Sequence, residues 1–100
     1  MPEVRWLGPA LSDLEEIKAF YEEKEEGLGA RLAGEILGIE RVLSELPNVG
    51  RISKNLKPEH RELIRGPHLI VYRVDSEAVK IIAVIDSRRN FMTAWRSKKR

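Results

Sequence analysis

The stretch that decides the fold is Arg65–Asn90, with the sequence RGPHLIVYRVDSEAVKIIAVIDSRRN. It contains two apolar runs, Leu69–Val74 and Val79–Ile85, which are joined by the polar link Asp75–Ala78. Both runs are rich in Val and Ile and are shorter than a typical helix, so they predict two β-strands. Because the link between them is short, we expect the strands to pair as an antiparallel hairpin at the centre of a sheet.

The position of the turn assigns each residue of the hairpin to a face, because side chains alternate across a strand. With the turn centred on Ser76 and Glu77, one face is almost wholly apolar and has to be covered. It consists of Ile70, Tyr72, Val74, Val79, Ile81, Ala83 and Ile85, with His68 at its edge. The other face consists of Leu69, Val71, Arg73, Lys80, Ile82, Val84 and Asp86. That second face is apolar in the middle with charges around it, which is typical of a binding surface.

The length and composition of the chain exclude several classes of protein. One hundred residues are enough for one domain with a single modest core. There is no cysteine, which excludes a disulfide framework, a thiolate zinc site and a cysteine nucleophile. The sequence has no signal peptide and no apolar run long enough to cross a bilayer, so we expect a soluble cytoplasmic protein without a membrane partner.

The charge of the chain is unevenly distributed between its two halves. Residues 1–50 carry 5 Lys or Arg against 11 Asp or Glu, a net charge of −6. Residues 51–100 carry 13 against 5, a net charge of +8. A basic half that also contains the predicted sheet favours an anionic partner, either nucleic acid or an acidic protein, over a merely solvated surface.

The rest of the chain predicts two helices that pack on the apolar face of the hairpin. The elements predicted before the hairpin are a strand at Glu3–Leu7, a helix at Pro9–Glu25, a helix at Leu28–Leu46, a loop at Arg51–Pro58 and a strand at Glu59–Ile64. Apolar residues recur at helical spacing in both helices, and the short link between them predicts an antiparallel helix hairpin. The predicted fold class is therefore α+β, an N-terminal strand and a helix hairpin packed on one face of a three- to four-stranded antiparallel sheet.

Two smaller features concern the second helix and the end of the chain. Ala30, Gly34 and Gly38 form a stripe of small residues, which indicates either the close approach of another backbone or glycines exposed to solvent. Phe91–Trp95 predicts a helical turn or a short strand that folds back on the domain. Residues 96–100 predict a basic, disordered tail.

Several local signatures occur in a fixed order along the chain. They are Ala10-Leu11-x-Asp13-Leu14, Leu46-Pro47-x-x-Gly50-Arg51, Arg61-x-Leu63, Ile70-x-Tyr72-x-Val74, Val79-x-Ile81-x-x-Val84 and Arg88-Arg89-Asn90. In this order and spacing they resemble the RelE/ParE superfamily of bacterial toxins from type II toxin–antitoxin pairs. The resemblance covers about residues 3–95 of a single toxin domain predicted at residues 1–95, and the Leu-Pro-x-x-Gly-Arg turn is most similar to the ParE-like branch.

The resemblance implies one of two activities. RelE-like members cut messenger RNA on the ribosome, whereas ParE-like members lack that chemistry and poison DNA gyrase, and an antitoxin wraps either kind. We therefore expect a ParE-like toxin that inhibits DNA gyrase by binding and is neutralised by an acidic, amphipathic segment of a cognate antitoxin. Direct contact with nucleic acid is a secondary expectation, no cofactor is expected, and a toxin-like protein that only binds a partner is a third hypothesis.

The sequence departs from the RelE-like nuclease pattern at most of its positions. Cleaving RNA without a metal requires a base, an acid and cations around the phosphate. The two lysines, two arginines and one tyrosine of that pattern fall here on Arg61, Leu63, Leu69, Arg89 and Trp95. Only Arg89 matches. The alternative is a divergent nuclease site that uses Arg61 and Arg89 with His60 or His68, although a lone histidine is more often a hydrogen-bonded edge residue.

The resemblance and the charge pattern predict two sets of binding residues. The candidates for contact with the target are Arg65, Arg73, Arg88, Arg89 and Trp95. The candidates for contact with the antitoxin are residues of the second hairpin face, Leu69, Val71, Lys80, Ile82 and Val84. No catalytic residue is expected in a ParE-like toxin, and two histidines without a cluster of further ligands predict no metal site.

Overall fold

The computed structural model describes residues 2–76 and 78–100, so Met1 and Glu77, one of the two residues at the centre of the predicted turn, lie outside it. The elements in chain order are β1 (Glu3–Trp6), α1 (Gly8–Lys24), α2 (Leu28–Leu37), α3 (Ile39–Glu45), β2 (Arg51–Ile52), β3 (His60–Arg65), β4 (His68–Val74), β5 (Ala78–Asp86) and α4 (Phe91–Arg96). The α+β class and the helix hairpin are confirmed, with the predicted second helix divided at Gly38. Within the described ranges, no helix is long and apolar enough to cross a membrane.

The described strands form one sheet in the order β1-β5-β4-β3-β2. β3, β4 and β5 are antiparallel neighbours, as predicted. Gly66 makes the tight turn between β3 and β4 with a φ of 55°, a conformation that favours glycine. The sheet is larger than the predicted three to four strands because β1 pairs with β5 in parallel and because Arg51–Ile52, predicted as a loop, pairs with β3.

A β-bulge divides the central hairpin into two parts with different registers. The predicted register holds from the turn as far as Tyr72, but beyond that point Ile82 is an extra residue in β5. One extra residue moves every later side chain to the opposite face of the sheet. The predicted faces are therefore wrong beyond the bulge: Val84 packs towards the helices, whereas Ala83 and Ile85 face away from them.

Each side of the sheet has a core of its own. We call the side under α1, α2 and α3 the helix face and the opposite side the outer face. The buried core of the helix face consists of Ala10, Leu14, Ala33, Ile36, Ile39, Leu43, Ile70, Tyr72, Val79, Ile81 and Val84. The smaller core of the outer face consists of Val71, Ala83, Ile85 and Ala94, with Leu56, Phe91 and Trp95 packed against them. Three of these residues belong to α4, so the chain covers part of its own outer face.

The C-terminal residues pack on the domain. Phe91–Trp95, predicted as a helical turn or a short strand, lies in helix α4. Lys98 and Arg100 both form ion pairs with Asp13 of α1, at 2.7 and 2.8 Å. Two basic side chains of residues 96–100, the segment predicted as a disordered tail, thus bind a buried carboxylate of the first helix.

The two helices of the hairpin come into close contact at Gly29. Glu22 of α1 accepts hydrogen bonds from the backbone amides of Gly27 (2.7 Å) and Gly29 (3.0 Å), which satisfies free amides at the start of α2. A Cβ atom at Gly29 would overlap the carbonyl oxygen of Lys18, whereas one at Gly34 would meet open space. Gly34, which belongs to the predicted stripe of small residues, is therefore an exposed glycine, and the close approach is one turn earlier.

The substitution Gly29→Ala is expected to lower the free energy of unfolding by about 1–3 kcal/mol or more, because the added methyl group has to push α1 and α2 apart. The matched control is Gly34→Ala, which is expected to be neutral or to stabilise the protein by up to about 1 kcal/mol through helix propensity alone. Urea unfolding followed by circular dichroism measures both. Equal effects of the two substitutions would contradict the close approach at Gly29.

Candidate functional site

The candidate site lies at the end of β5, where Asp86 leaves the sheet and begins the loop to α4. Arg88 donates to the Asp86 carboxylate through Nη2 (2.6 Å), Nε (3.0 Å) and its backbone amide (2.9 Å). The Tyr21 hydroxyl of α1 accepts from Arg88 Nη2 (2.7 Å) and donates to Asp86 Oδ2 (3.3 Å). These three side chains hold the loop against the first helix.

The electrostatics of this network favour its ionised form. Hydrogen bonds from Arg88 hold the pKa of Asp86 well below its usual range, and the carboxylate in turn raises the pKa of Arg88. Burial lowers the pKa of His68, which is 1% exposed and packs nearly perpendicular to the Tyr21 ring. Its Nε2 has no hydrogen-bond partner among the residues that the structure describes, so His68 is a neutral, buried neighbour of the ion pair.

A cleft of about 420 Å³ separates α1 from the end of β5, and we call it the helix cleft. Its apolar and aromatic lining consists of Ile17, Phe20, Tyr21 and Val84. Its charged lining consists of Asp13, Glu16, Asp86, Arg88 and Arg89. Phe20 is 50% exposed, so the cleft presents a large apolar side chain beside charged groups.

A second cleft, of about 320 Å³, lies on the outer face beside α4, and we call it the sheet cleft. Its apolar lining consists of Ile64, Leu69, Ile85 and Phe91. At its polar side the buried Glu62 accepts hydrogen bonds from Arg51 Nε (3.1 Å) and Ser53 Oγ (2.8 Å). Arg89 is exposed and lines both clefts.

Three of the five predicted target-binding residues share one end of the sheet. Arg65 ends β3 and pairs with His68, which in turn pairs with Asp86. Arg88 and Arg89 follow directly in the loop after β5. The prediction that these three cations lie close to the same end of the sheet therefore agrees with the register of the strands.

The other two predicted target-binding residues lie at the opposite end. Arg73 pairs with His60 at the start of β3. Trp95 contacts the ring of His60 at 5.7 Å between ring centroids, stacks on Phe91 at 6.1 Å, and lies under the guanidinium of Arg100 at 5.2 Å. Trp95 is thus engaged in packing α4 onto the outer face, a role that its position near the C-terminus does not reveal.

The predicted antitoxin-binding residues do not form one exposed surface. Val71 is fully buried, and Ile82 and Val84 are each 3% exposed. The prediction of an open face is wrong for these three, because α4 covers Val71 and the bulge turns Val84 towards the helices. Leu69 and Lys80 are partly exposed and stay accessible to a partner.

The residues of the alternative nuclease site are not brought together. His60 begins β3, whereas His68 and Arg89 lie near its other end, roughly 16 Å away at about 3.3 Å per residue. Leu63 and Leu69, two positions of the same sequence pattern, lie on opposite faces of the sheet. Among residues 2–76 and 78–100, no group of three or more His, Asp or Glu side chains is placed to hold a metal ion.

Arg61, the remaining nuclease candidate, is bound to the turn before β2. It donates to the carbonyl oxygens of Asn48 (3.2 Å) and Gly50 (2.8 Å). The amide of Gly50 donates to the Tyr72 hydroxyl (2.8 Å), and a Cβ atom at Gly50 would collide with that side chain. The Leu-Pro-x-x-Gly-Arg turn is thus fastened to the sheet by Arg61 and Tyr72, which gives Arg61 a structural role.

Sequence reasoning missed three residues that shape the clefts: Phe20, Ile64 and Asp13. Phe20 and Ile64 are 50% and 59% exposed, and nothing in their local pattern separates an exposed apolar residue from a buried one. Asp13 had a detectable signal, because it lies three residues after Ala10 and four before Ile17, on the apolar side of the helix. A carboxylate in that position requires buried hydrogen-bond partners.

The neutral, buried His68 predicts a loss of stability on mild acidification. Its folded pKa is lower than the value of about 6.5 in the unfolded chain, so the unfolded chain binds the proton first as the pH falls. The contribution of His68 is complete above about pH 6.5 and decreases below it. We expect the free energy of unfolding to fall between pH 7.5 and pH 5.5, and to fall less in His68→Gln, when both are measured in urea. Parallel pH dependences in the two proteins would contradict this role.

The sequence was compared with protein-family models, and the fold was compared with solved structures. The model of the family described as "ParE toxin of type II toxin-antitoxin system, parDE" matches residues 4–91. A chain of the "Chromosomal ParDE TA system from P. aeruginosa" has a similar structure, with a TM-score of 0.75 and 23% identity over 86% of this chain and 96% of that chain. The comparison with curated proteins found no match.

Two further solved structures share the fold at lower similarity. "The structure of YoeB dimer from Staphylococcus aureus" superposes with a TM-score of 0.57 and 16% identity, over 82% of this chain and 92% of that chain. The "YoeB/ParE toxin from Agrobacterium tumefaciens" superposes with a TM-score of 0.56 and 20% identity, over 84% and 96%. Since the family model matches most of the chain, and the fold agrees with it, the chain belongs to the ParE toxin family of type II toxin–antitoxin systems.

Proposed function

We propose that this chain inhibits DNA gyrase by binding to it and that a cognate antitoxin with an acidic, amphipathic segment neutralises it. Membership of the family implies an antitoxin partner, and the resemblance to the ParE-like branch implies gyrase as the target. One observation carries the preference for binding over catalysis: the candidate acid–base residues lie apart, while cations crowd one end of the sheet.

The arrangement of the nuclease candidates argues against RNA cleavage. A general base and a general acid both have to come within hydrogen-bond reach of one phosphodiester group. His60 and His68 are separated by most of the length of β3, and Arg61 is engaged by backbone carbonyl groups. Leu69, which lines the sheet cleft, carries neither a proton nor a charge. Inhibition by binding requires neither a general acid nor a general base.

The end of the sheet at Arg65 and Arg89 supports contact with an anionic or acidic target. The charge of Arg88 is compensated by Asp86, whereas no acidic side chain in the described part of the chain forms an ion pair with Arg65 or Arg89. These two arginines are therefore the main candidates for target contact. Arg73 and Trp95 lie at the other end, so they would take part only with a target that spans the outer face.

The proposal is tested with purified gyrase in a supercoiling assay and a DNA-cleavage assay. We expect the chain to inhibit supercoiling and to accumulate gyrase–DNA cleavage complexes. The double variant Arg65→Ala/Arg89→Ala is expected to require roughly tenfold more protein for the same inhibition, which corresponds to about 1.4 kcal/mol of lost binding. The matched control is Arg31→Ala, an exposed arginine of α2, which should leave inhibition unchanged.

Two other outcomes would contradict the proposal. Cleavage of messenger RNA on translating ribosomes, lost in Arg89→Ala, would establish the divergent nuclease. Failure to inhibit gyrase and failure to cleave RNA, with antitoxin binding retained, would leave a toxin-like protein that only binds its partner.

A further inference from the structure

The two neighbouring arginines in the loop after β5 differ in what their side chains contact. The Arg88 guanidinium donates to the Asp86 carboxylate (2.6 and 3.0 Å) and to the Tyr21 hydroxyl (2.7 Å). The Arg89 side chain is exposed, and within residues 2–76 and 78–100 no hydrogen bond or ion pair engages its guanidinium. One charge is therefore bound within the chain, and the other is available to a partner.

The backbone that leads to Arg89 is held by hydrogen bonds. The Ser87 amide donates to the Pro67 carbonyl (2.7 Å), which ties the loop to the turn before β4. The Arg88 amide donates to Asp86 Oδ1 (2.9 Å), and the Arg89 amide donates to the Asp86 carbonyl (3.0 Å). Asp86 therefore holds the backbone of this segment as well as the Arg88 side chain.

The backbone that follows Arg89 is held by the start of α4. Asn90 Oδ1 accepts from the Thr93 amide (3.0 Å), and the Asn90 carbonyl accepts from the Ala94 amide (3.0 Å), so Asn90 caps the helix. Ala94 is buried in the core of the outer face. Arg89 thus has a free side chain on a backbone that is fixed on both sides.

Tyr21 connects this loop to the first helix and to β4. Its hydroxyl accepts from Arg88 Nη2 (2.7 Å) and donates to Asp86 Oδ2 (3.3 Å). Its ring packs nearly perpendicular to the His68 ring, with 5.9 Å between the ring centroids. His68 in turn pairs with Asp86 across the β4–β5 ladder. Contacts from α1, β4 and β5 therefore meet at Asp86 and Arg88.

A loop that is ordered before binding lowers the entropy cost of the contact that it makes. An arginine on an unrestrained loop loses both backbone and side-chain freedom when it binds. Because hydrogen bonds already hold the backbone at Arg89, binding has to order only its side chain. The residues that hold the loop therefore influence binding without touching the target.

We infer that Asp86, Arg88 and Tyr21 are positioning residues for gyrase inhibition, and that they act by fixing the loop that presents the Arg89 guanidinium. The inference rests on the proposed function in taking gyrase as the target and Arg89 as a contact. It gives different roles to the two arginines of the Arg88-Arg89 pair, which the sequence alone does not distinguish. It also means that loss of an acidic side chain, Asp86, weakens binding to an anionic or acidic target.

The direction of the effect of Asp86→Ala tests the positioning role in the supercoiling assay. Removal of this carboxylate raises the net charge by one, so attraction by charge alone predicts stronger inhibition. Positioning predicts that Asp86→Ala requires roughly five- to tenfold more protein for the same inhibition. Tyr21→Phe keeps the ring and the net charge, and is expected to require roughly three- to fivefold more. The matched control is Glu35→Ala, which makes the same charge change at an exposed position of α2 and should leave inhibition unchanged.

A double-mutant cycle tests whether Asp86 acts through Arg89. In the Arg89→Ala background, Asp86→Ala is expected to change inhibition by less than about twofold, because the guanidinium that the loop presents is absent. An equal loss in both backgrounds indicates a general loss of structure or a direct contact of Asp86, and overturns the inference. Circular dichroism verifies that each variant folds, and Tyr21→Phe replaces Asp86→Ala in the cycle if the latter does not.

Backbone order measured without gyrase separates the inference from the function on which it rests. Relaxation of ¹⁵N is expected to give the Arg88 and Arg89 amides order parameters of about 0.85 in the unaltered chain and below about 0.6 in Asp86→Ala. Retained order in Asp86→Ala overturns the inference, and so does lost order with unchanged inhibition; both leave gyrase inhibition intact. An unaltered chain that does not inhibit gyrase overturns the proposed function together with the inference.

Discussion

The buried carboxylate of Asp13 joins α1, β5 and the C-terminal residues at one point, and the arrangement of the whole site depends on it. Its oxygens accept the Val84 amide (3.0 Å) and pair with Lys98 and Arg100 (2.7 and 2.8 Å). Arg100 also donates to the carbonyl of Ile82 at the bulge (3.0 Å). A buried charge is strongly destabilising when one of its partners is removed. Loss of any one of these contacts therefore weakens the arrangement of the others.

The central strands are buried on both faces of the sheet. The helix hairpin covers one face, and α4 covers much of the other through Phe91, Ala94 and Trp95. The two clefts beside the loop after β5 each contain one large exposed apolar side chain, Phe20 in the helix cleft and Ile64 in the sheet cleft. Arg89 is exposed and belongs to the lining of both.

Some of the signature residues that identify the family support the fold and do not form a reaction centre. Gly50 has to be glycine because its backbone packs against Tyr72, and Arg61 holds the same turn through two carbonyl groups. Leu69 lies on the outer face, where it lines the sheet cleft.

The sequence by itself determined the elements whose signals are local. Alternation and β-branched residues marked β4 and β5, helical spacing marked the hairpin of α1 and the following helices, and the ordered signatures identified the family. Local periodicity also placed Val74 opposite Val79 and Tyr72 opposite Ile81, since the register near a turn follows from the turn itself.

Only the tertiary structure decided the features that depend on distant residues. The bulge at Ile82 leaves no sequence signal, because residues 81–85 are all apolar and either register would bury them. β2 is only two residues long, and only its pairing with β3 identifies it as a strand. Arg100 binds Asp13, which lies 87 positions earlier in the chain. Hydrogen bonds and ion pairs over such separations are set by packing, which composition and periodicity do not encode.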